Sequence, residues 1–193
     1  VRDMGYNTAY IGCWEVDPKA APSDYGFDRF ISRAEINKYI SDKYPDIKYT
    51  NGYFGEKNPV PLEDSFTHQV ARRAIGYIEE LSKSDKPWYI HLDSPEPHLP
   101  CRPSEPFSSM YDPDKIEPWG SMGETFEGKP YIQHQQLYSW RLEDLTWENC
   151  WKYTAALYRG IISQYDDAVG RILDALEKTG QIENTIIVYA TDH

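Results

Sequence analysis

The sequence predicts an α/β fold, a parallel sheet flanked by helices. Three observations carry that reading. Two long amphipathic patterns, 63–83 and 147–179, separate three short β-branched or aromatic runs at 7–12, 87–93 and 184–190. A helix between successive strands is a crossover connection, which implies parallel pairing and right-handed connections. The connections after the helices, 84–86 and 180–183, are short, whereas those after the strands, 13–62 and 94–146, are long. Long connections inside a compact domain are usually functional. Both leave from the carboxyl edge of the sheet, where open α/β sheets bind ligands.

Val1 to Gly5 reads as the end of a helix, with Gly5 just past it. Asn7 to Gly12 is the first strand. No period holds over 13–62, where Pro18, Pro22, Pro45, Pro59 and Pro61 punctuate a loop region with a short helix near Arg33 to Lys43. In 63–83, Phe66, Val70, Ala74, Ile78 and Leu81 share one face. Glu63 and Asp64 lie at the positive end of its dipole and Lys83 at the negative end. Pro87 to Asp93 is the second strand, and its His91 reads as a packed, hydrogen-bonded residue. The run Ser94-Pro95-Glu96-Pro97-His98-Leu99-Pro100 cannot extend a helix or a central strand. It holds His98 on a stiff support just past a strand end.

The rest of that connection, with Trp119, Tyr131, His134, Tyr138 and Trp140, reads as aromatic and irregular. Thr146 caps the second long helix, and Trp151, Ala155, Ile162, Tyr165, Val169, Ile172, Leu173 and Leu176 form its apolar face. Gly160 and Gly170 bend or thin it. Asp166 and Asp167 point about 100° apart on a helix. They cannot converge on one ion unaided, and read as a surface pair or as a hydrogen bond to a neighbouring loop. The third strand, around Ile186 to Tyr189, stops on Thr191-Asp192-His193.

Formal net charge is −11, from 31 acidic against 20 basic residues, which argues against a nucleic-acid or anionic-membrane surface. No run is apolar enough to span a bilayer. Cys13, Cys101 and Cys150 are isolated thiols without the spacing of a disulfide framework or zinc cluster. With 16 Tyr and 6 Trp the chain is not disordered, and its 14 Pro point to long ordered loops. The opening on Val1 and the close on His193 are the expected marks of a partial domain cut at both ends.

An acid and an imidazole at a strand's carboxyl end make half of a divalent-cation site, since Asp oxygen and His nitrogen both suit such ions. The plainer reading of Asp192 and His193 is a capping Asp and a surface His. Three features converge on this edge: the loop from Cys13, the loop holding His98, and Asp192-His193.

The chain also resembles a known family. Gly5 to Gly12, Pro97-His98-Leu99-Pro100, Gln164 to Leu173, and Asn184 to His193 are similar, in this order, to the middle of a sulfatase, in the alkaline-phosphatase-like superfamily. The resemblance implies that residues 1–193 are part of a single sulfatase-like catalytic domain, its sheet mixed in the full protein. It implies sulfate-ester hydrolysis by a formylglycine nucleophile held on a divalent cation: calcium, magnesium or manganese. Asp192 and His193 match two of the family's metal ligands, and His98 matches its proline-flanked histidine near the sulfate or the leaving oxygen. The family's Gly-Lys-Trp-His run is here Gly12-Cys13-Trp14-Glu15, so its two sulfate-contacting residues are replaced. Cys101-Arg102-Pro103-Ser104 has the wrong order and place for the nucleophile motif, and Cys101 reads as a loop thiol.

The expectation is therefore a metal-dependent sulfuric ester hydrolase acting on a small-molecule or carbohydrate sulfate. The alternatives are a phosphodiester or phosphonate monoester hydrolase of the same superfamily, or a degenerate member that binds without turnover. The 193-residue chain alone is expected to be inactive, since it carries neither the nucleophile motif nor the family's early metal ligands.

Overall fold

The computed structural model describes residues 1–191; Asp192 and His193 lie outside the described residues. The chain forms two compact units that interleave along the sequence. The first holds Val1–Ile47, Val60–Glu96 and the chain from Gln164 onward; the second holds Lys48–Pro59 and Pro97–Ser163.

The first unit is built on a three-stranded, all-parallel sheet: β1 (Asn7–Gly12), β2 (Arg29–Ser32) and β3 (Trp88–Asp93), in the order β2-β1-β3. Ile11 pairs with Ile31 on one side and Leu92 on the other, so three apolar side chains share one face. They pack on Ile36 of α1 (Arg33–Lys43), on Val70 and Ala74 of α2 (Phe66–Leu81), and on Ile172 of α4 (Lys152–Lys178). The other face is aromatic. Tyr10 stacks on His91 at 4.8 Å and meets Phe27 and Phe30 edge-on, so His91 is a packing residue as its place in a strand implies.

Two expectations about the strands need correction. The run 184–190 is not a strand. A 3₁₀ turn spans Ile182–Asn184, and beyond it Ile186, Val188 and Tyr189 are 93%, 81% and 78% exposed. β-branched residues favour an extended backbone, but a strand needs a ladder partner. Among the described residues no strand supplies one. The third strand is instead β2, which has only four residues and shows no alternation long enough to read. The helix after it was legible: Ser32 accepts from Glu35 N, and the Glu35 carboxylate accepts from Ser32 N, a capping box that starts α1.

Helix α2 opens on a 3₁₀ turn, Leu62–Asp64, whose buried Asp64 does more than meet a dipole. Its carboxylate accepts from Tyr39 Oη (2.9 Å), Lys43 Nζ (2.7 Å) and Tyr44 Oη (2.7 Å), tying α1 to α2. Burial opposes its ionisation, but these donors outweigh it and hold its pKa at about 2.

The second half of α4 docks through Asp167, whose hydrogen-bond partner across the core is on helix α2 and not on a loop. Asp167 Oδ2 accepts from His68 Nε2 (2.8 Å) and from Arg171 Nε (2.8 Å), and Arg171 forks onto Glu63 (2.8 and 2.7 Å). His68 Nδ1 lies 3.0 Å from Ser65 Oγ. The order Ser65–His68–Asp167 is that of a hydrolase triad, but Ser65 is 1% exposed and serves as the N-cap of α2. The network is structural.

Burial holds the His68 imidazole below its ordinary pKa, against the pull of Asp167, so the neutral ring donates from Nε2 and accepts at Nδ1. Below about pH 6.5 the unfolded chain takes up a proton there that the folded chain refuses. Stability is therefore expected to fall as pH drops from about 7 to 5, and His68→Gln to flatten that loss, measured by urea unfolding. Asp167→Ala leaves a buried imidazole N–H without its acceptor and is expected to cost about 1–3 kcal/mol at neutral pH.

In the second unit, parallel bridges join Gly55 to Cys101 and Asn58 to Ser104. Cys101 is a core residue: it is buried against Leu157, Ile161 and Leu99. Ile116, Ala155 and Ala156 form a second cluster with Tyr111 and Trp147. A π-helical turn, Trp147–Trp151, leads into α4. Gly160 lets that helix approach the loop closely: a Cβ there would lie 2.5 Å from the Phe107 carbonyl oxygen. The aromatic stretch read as irregular contains a helix, α3 (Tyr131–Leu142), which buries no residue.

Candidate active site

Parallel pairing brings the three strand ends to one edge. Gly12 is in register with Ser32 and with Asp93, so the edge is formed by Gly12 to Glu15, Ser32 and Arg33, and Asp93 to Glu96. The chain turns sharply off β1. Gly12 has φ +121°, and Cys13 N donates to the Asp93 carbonyl (3.1 Å). Tyr10 Oη contacts both the Asp93 carboxylate (2.8 Å) and the Cys13 carbonyl. Burial first, then the bond to Asp93, hold this phenol firmly protonated. Trp14 Nε1 donates to the carbonyls of Asp17 (3.2 Å) and Ala20 (2.8 Å), fixing the loop that leaves the edge.

Cys13 is buried and Glu15 is exposed. Burial pushes the Cys13 thiol up, against the pull of the neighbouring Arg33 charge. Cys13 is thus a neutral thiol at neutral pH and no activated nucleophile. Among the described residues the buried Oε2 of Glu96 has no hydrogen-bond partner, and burial pushes its pKa up to about 8, so it carries a proton at neutral pH. Arg33, Asp93 and Glu96 were not singled out from the sequence. The signals were the parallel register for Asp93 and Arg33, and an acid between two prolines for Glu96.

His98 belongs to the second unit. Its side chain is exposed, and Nδ1 lies 2.6 Å from the Leu99 carbonyl oxygen. With that acceptor a proton sits on Nδ1, which leaves Nε2 as the ring nitrogen that can exchange a proton. The two proposed cation ligands, Asp192 and His193, lie outside the described residues. Among the described residues no three His, Cys, Asp or Glu side chains gather as a ligand set. The oxygen and nitrogen donors of the Asp-His pair suit a divalent ion, but two ligands fall short of the usual coordination number of about six.

A sequence model of the sulfatase family matches residues 1–193. The chain belongs to the sulfatase family. It is 23% identical over 202 residues to an uncharacterised sulfatase of Escherichia coli K12, aligning over 100% of this chain and 40% of that one. It is 26% identical over 218 residues to an arylsulfatase of Klebsiella aerogenes, covering 100% of this chain and 45% of that one. Among solved structures it superposes on a phosphonate monoester hydrolase of Silicibacter pomeroyi with a TM-score of 0.69 at 19% identity, over 95% of this chain and 44% of that chain. That likeness establishes the alkaline-phosphatase-like fold. This sulfatase-family chain therefore spans less than half the length of each of these proteins.

Proposed function

We propose that the full-length protein is a metal-dependent sulfuric ester hydrolase acting on a small-molecule or carbohydrate sulfate. The observation that carries this reading is the sulfatase match along residues 1–193. Asp192 and His193 would hold calcium, magnesium or manganese, and the bound cation would polarise the ester oxygens. His98 acts at the leaving oxygen. As a nucleophile bonds to sulfur and the S–O bond to the leaving group breaks, a proton from Nε2 meets the developing alkoxide or phenoxide, and the bond to the Leu99 carbonyl keeps the ring aimed. Trp14 holds the Cys13–Glu15 loop at the sheet edge through its two carbonyl bonds. No residue of 1–193 is assigned as the nucleophile. The net charge of −11 supports neither a nucleic-acid partner nor an anionic-membrane one, and no helix among the described residues is long and apolar enough to cross a bilayer.

A phosphodiester or phosphonate monoester is the second reading. It presents a similar tetrahedral oxyanion, and the Asp-His pair is compatible with it. The test compares kcat/KM on an aryl sulfate and an aryl phosphodiester, with and without chelator. Chelator-sensitive turnover with the sulfate preferred supports the first reading, and the reverse preference supports the second. Ligand binding without turnover of either identifies a non-catalytic member, the outcome toward which Cys13 and Glu15 lean.

A further inference from the structure

The carboxyl edge of the sheet presents an electrostatic difficulty for any anionic ester. The strand ends place the carboxylates of Glu15 and Asp93 there, and Glu15 is exposed. Of the residues these strand ends contribute, one is a cation: Arg33. Its place follows from local rules. Gly12 pairs with Ser32, so the next residue on each strand, Cys13 and Arg33, leaves the sheet side by side. Ser32 caps α1, which makes Arg33 the first residue of that helix and aligns its side chain with the helix's positive end. The guanidinium lies close enough to the buried Cys13 to act against the burial of its thiol, which places the head group at the edge. Among the described residues it forms no salt bridge, whereas Arg29 is forked onto Glu80 and Arg171 onto Glu63. Arg33 is exposed, and a guanidinium has five donors, so hydrogen-bonding capacity is left for a ligand.

We propose that Arg33 is the residue of this edge that contacts the anionic group of the substrate, a sulfate or a phosph(on)ate monoanion. The inference rests on the hydrolase reading above and deepens it. Cys13, the neutral residue beside it, leaves that charge unneutralised, where a carboxylate at that position would cancel it. The planar fork also suits two oxygens of a tetrahedral anion at once.

The experiment uses the full-length protein, with an aryl sulfate and an aryl phosphodiester as substrates and inorganic phosphate as competitor. Arg33→Gln is expected to lower kcat/KM about a hundredfold or more, the usual cost of one such electrostatic contact. It should weaken phosphate inhibition at least about tenfold, while Arg33→Lys, which keeps the charge, retains most of the phosphate affinity. Removing the opposing charge with Glu15→Gln should tighten phosphate about two- to tenfold, and this surface change keeps the test open if Arg33→Gln does not fold. Active wild-type protein with unchanged turnover and phosphate inhibition in Arg33→Gln, or unchanged inhibition in Glu15→Gln, overturns the role of Arg33 and leaves the hydrolase reading standing. No turnover of any ester by the wild type overturns the hydrolase reading instead. Phosphate binding by calorimetry then decides on Arg33: binding lost in Arg33→Gln supports the inference, and equal or absent binding in the wild type overturns it.

Discussion

Gly12→Ala is expected to be among the most destabilising single substitutions in the protein, at about 4 kcal/mol or more. An added Cβ would lie 1.7 Å from the Asp93 carbonyl oxygen and 2.7 Å from its carbonyl carbon. Both are backbone atoms of β3, so no rotamer change relieves the overlap. The backbone at Gly12 also has φ +121°, a region that L-residues adopt only with strain. The strand pair must separate at its carboxyl end, taking with it the Cys13 N–H bond to Asp93 and the Tyr10 clamp. Gly76→Ala in α2 is the matched control, because nothing lies within 4 Å of its added Cβ, and a helical alanine should stabilise by about 0.5–1 kcal/mol. Urea unfolding of the two variants checks both signs. Equal stability of Gly12→Ala and wild type would mean that the turn off β1 is looser than this geometry.

The same glycine shows how far a sequence can be read. Asn7 to Gly12 and Trp88 to Asp93 were legible as strands because their composition and their short boundaries agree. The two long helices were legible from their apolar spacing, and their ends came within a few residues, whereas α3, which buries no residue, showed no apolar face to read. β2 was not, because Arg29-Phe30-Ile31-Ser32 is too short to show a period and borrows its strand character from pairing with β1. The opposite error occurred at 184–190, where composition alone looks like a strand. Composition states a preference, and only a partner's ladder makes a strand of it.

The site divides in the same way. The carboxyl edge was read from connection lengths, and His98 was read as a candidate from its prolines; in the structure His98 belongs to the second unit. Arg33 could not be found this way, because its meaning depends on register: it stands beside Cys13 only once Ser32 is paired with Gly12. Asp167 bonds to His68, which lies far back in sequence on α2 and is brought to it only by tertiary packing.

The largest functional effect is expected at the proposed cation ligands. In the full-length protein Asp192→Ala removes an anionic oxygen donor, and a neighbouring neutral imidazole cannot replace its charge. Lewis-acid polarisation is worth several kcal/mol at the transition state, and each 1.4 kcal/mol is tenfold in rate. A loss of roughly a thousandfold in kcat/KM is therefore expected, together with loss of calorimetric divalent-cation binding. Tight cation binding that survives Asp192→Ala would place the site elsewhere. His98→Ala is expected to behave differently, because its role is proton transfer and not ligation. Cation binding should persist while turnover falls about 10²–10⁴-fold. The fall should also depend on the leaving group. An activated aryl sulfate departs as a stable phenolate and needs little protonation, whereas an alkyl or carbohydrate sulfate leaves as a basic alkoxide and needs a full proton. The His98→Ala penalty should thus be much larger for the carbohydrate ester than for the aryl one. An equal penalty on both would assign His98 to holding the sulfate oxygens, since that contact is indifferent to what departs.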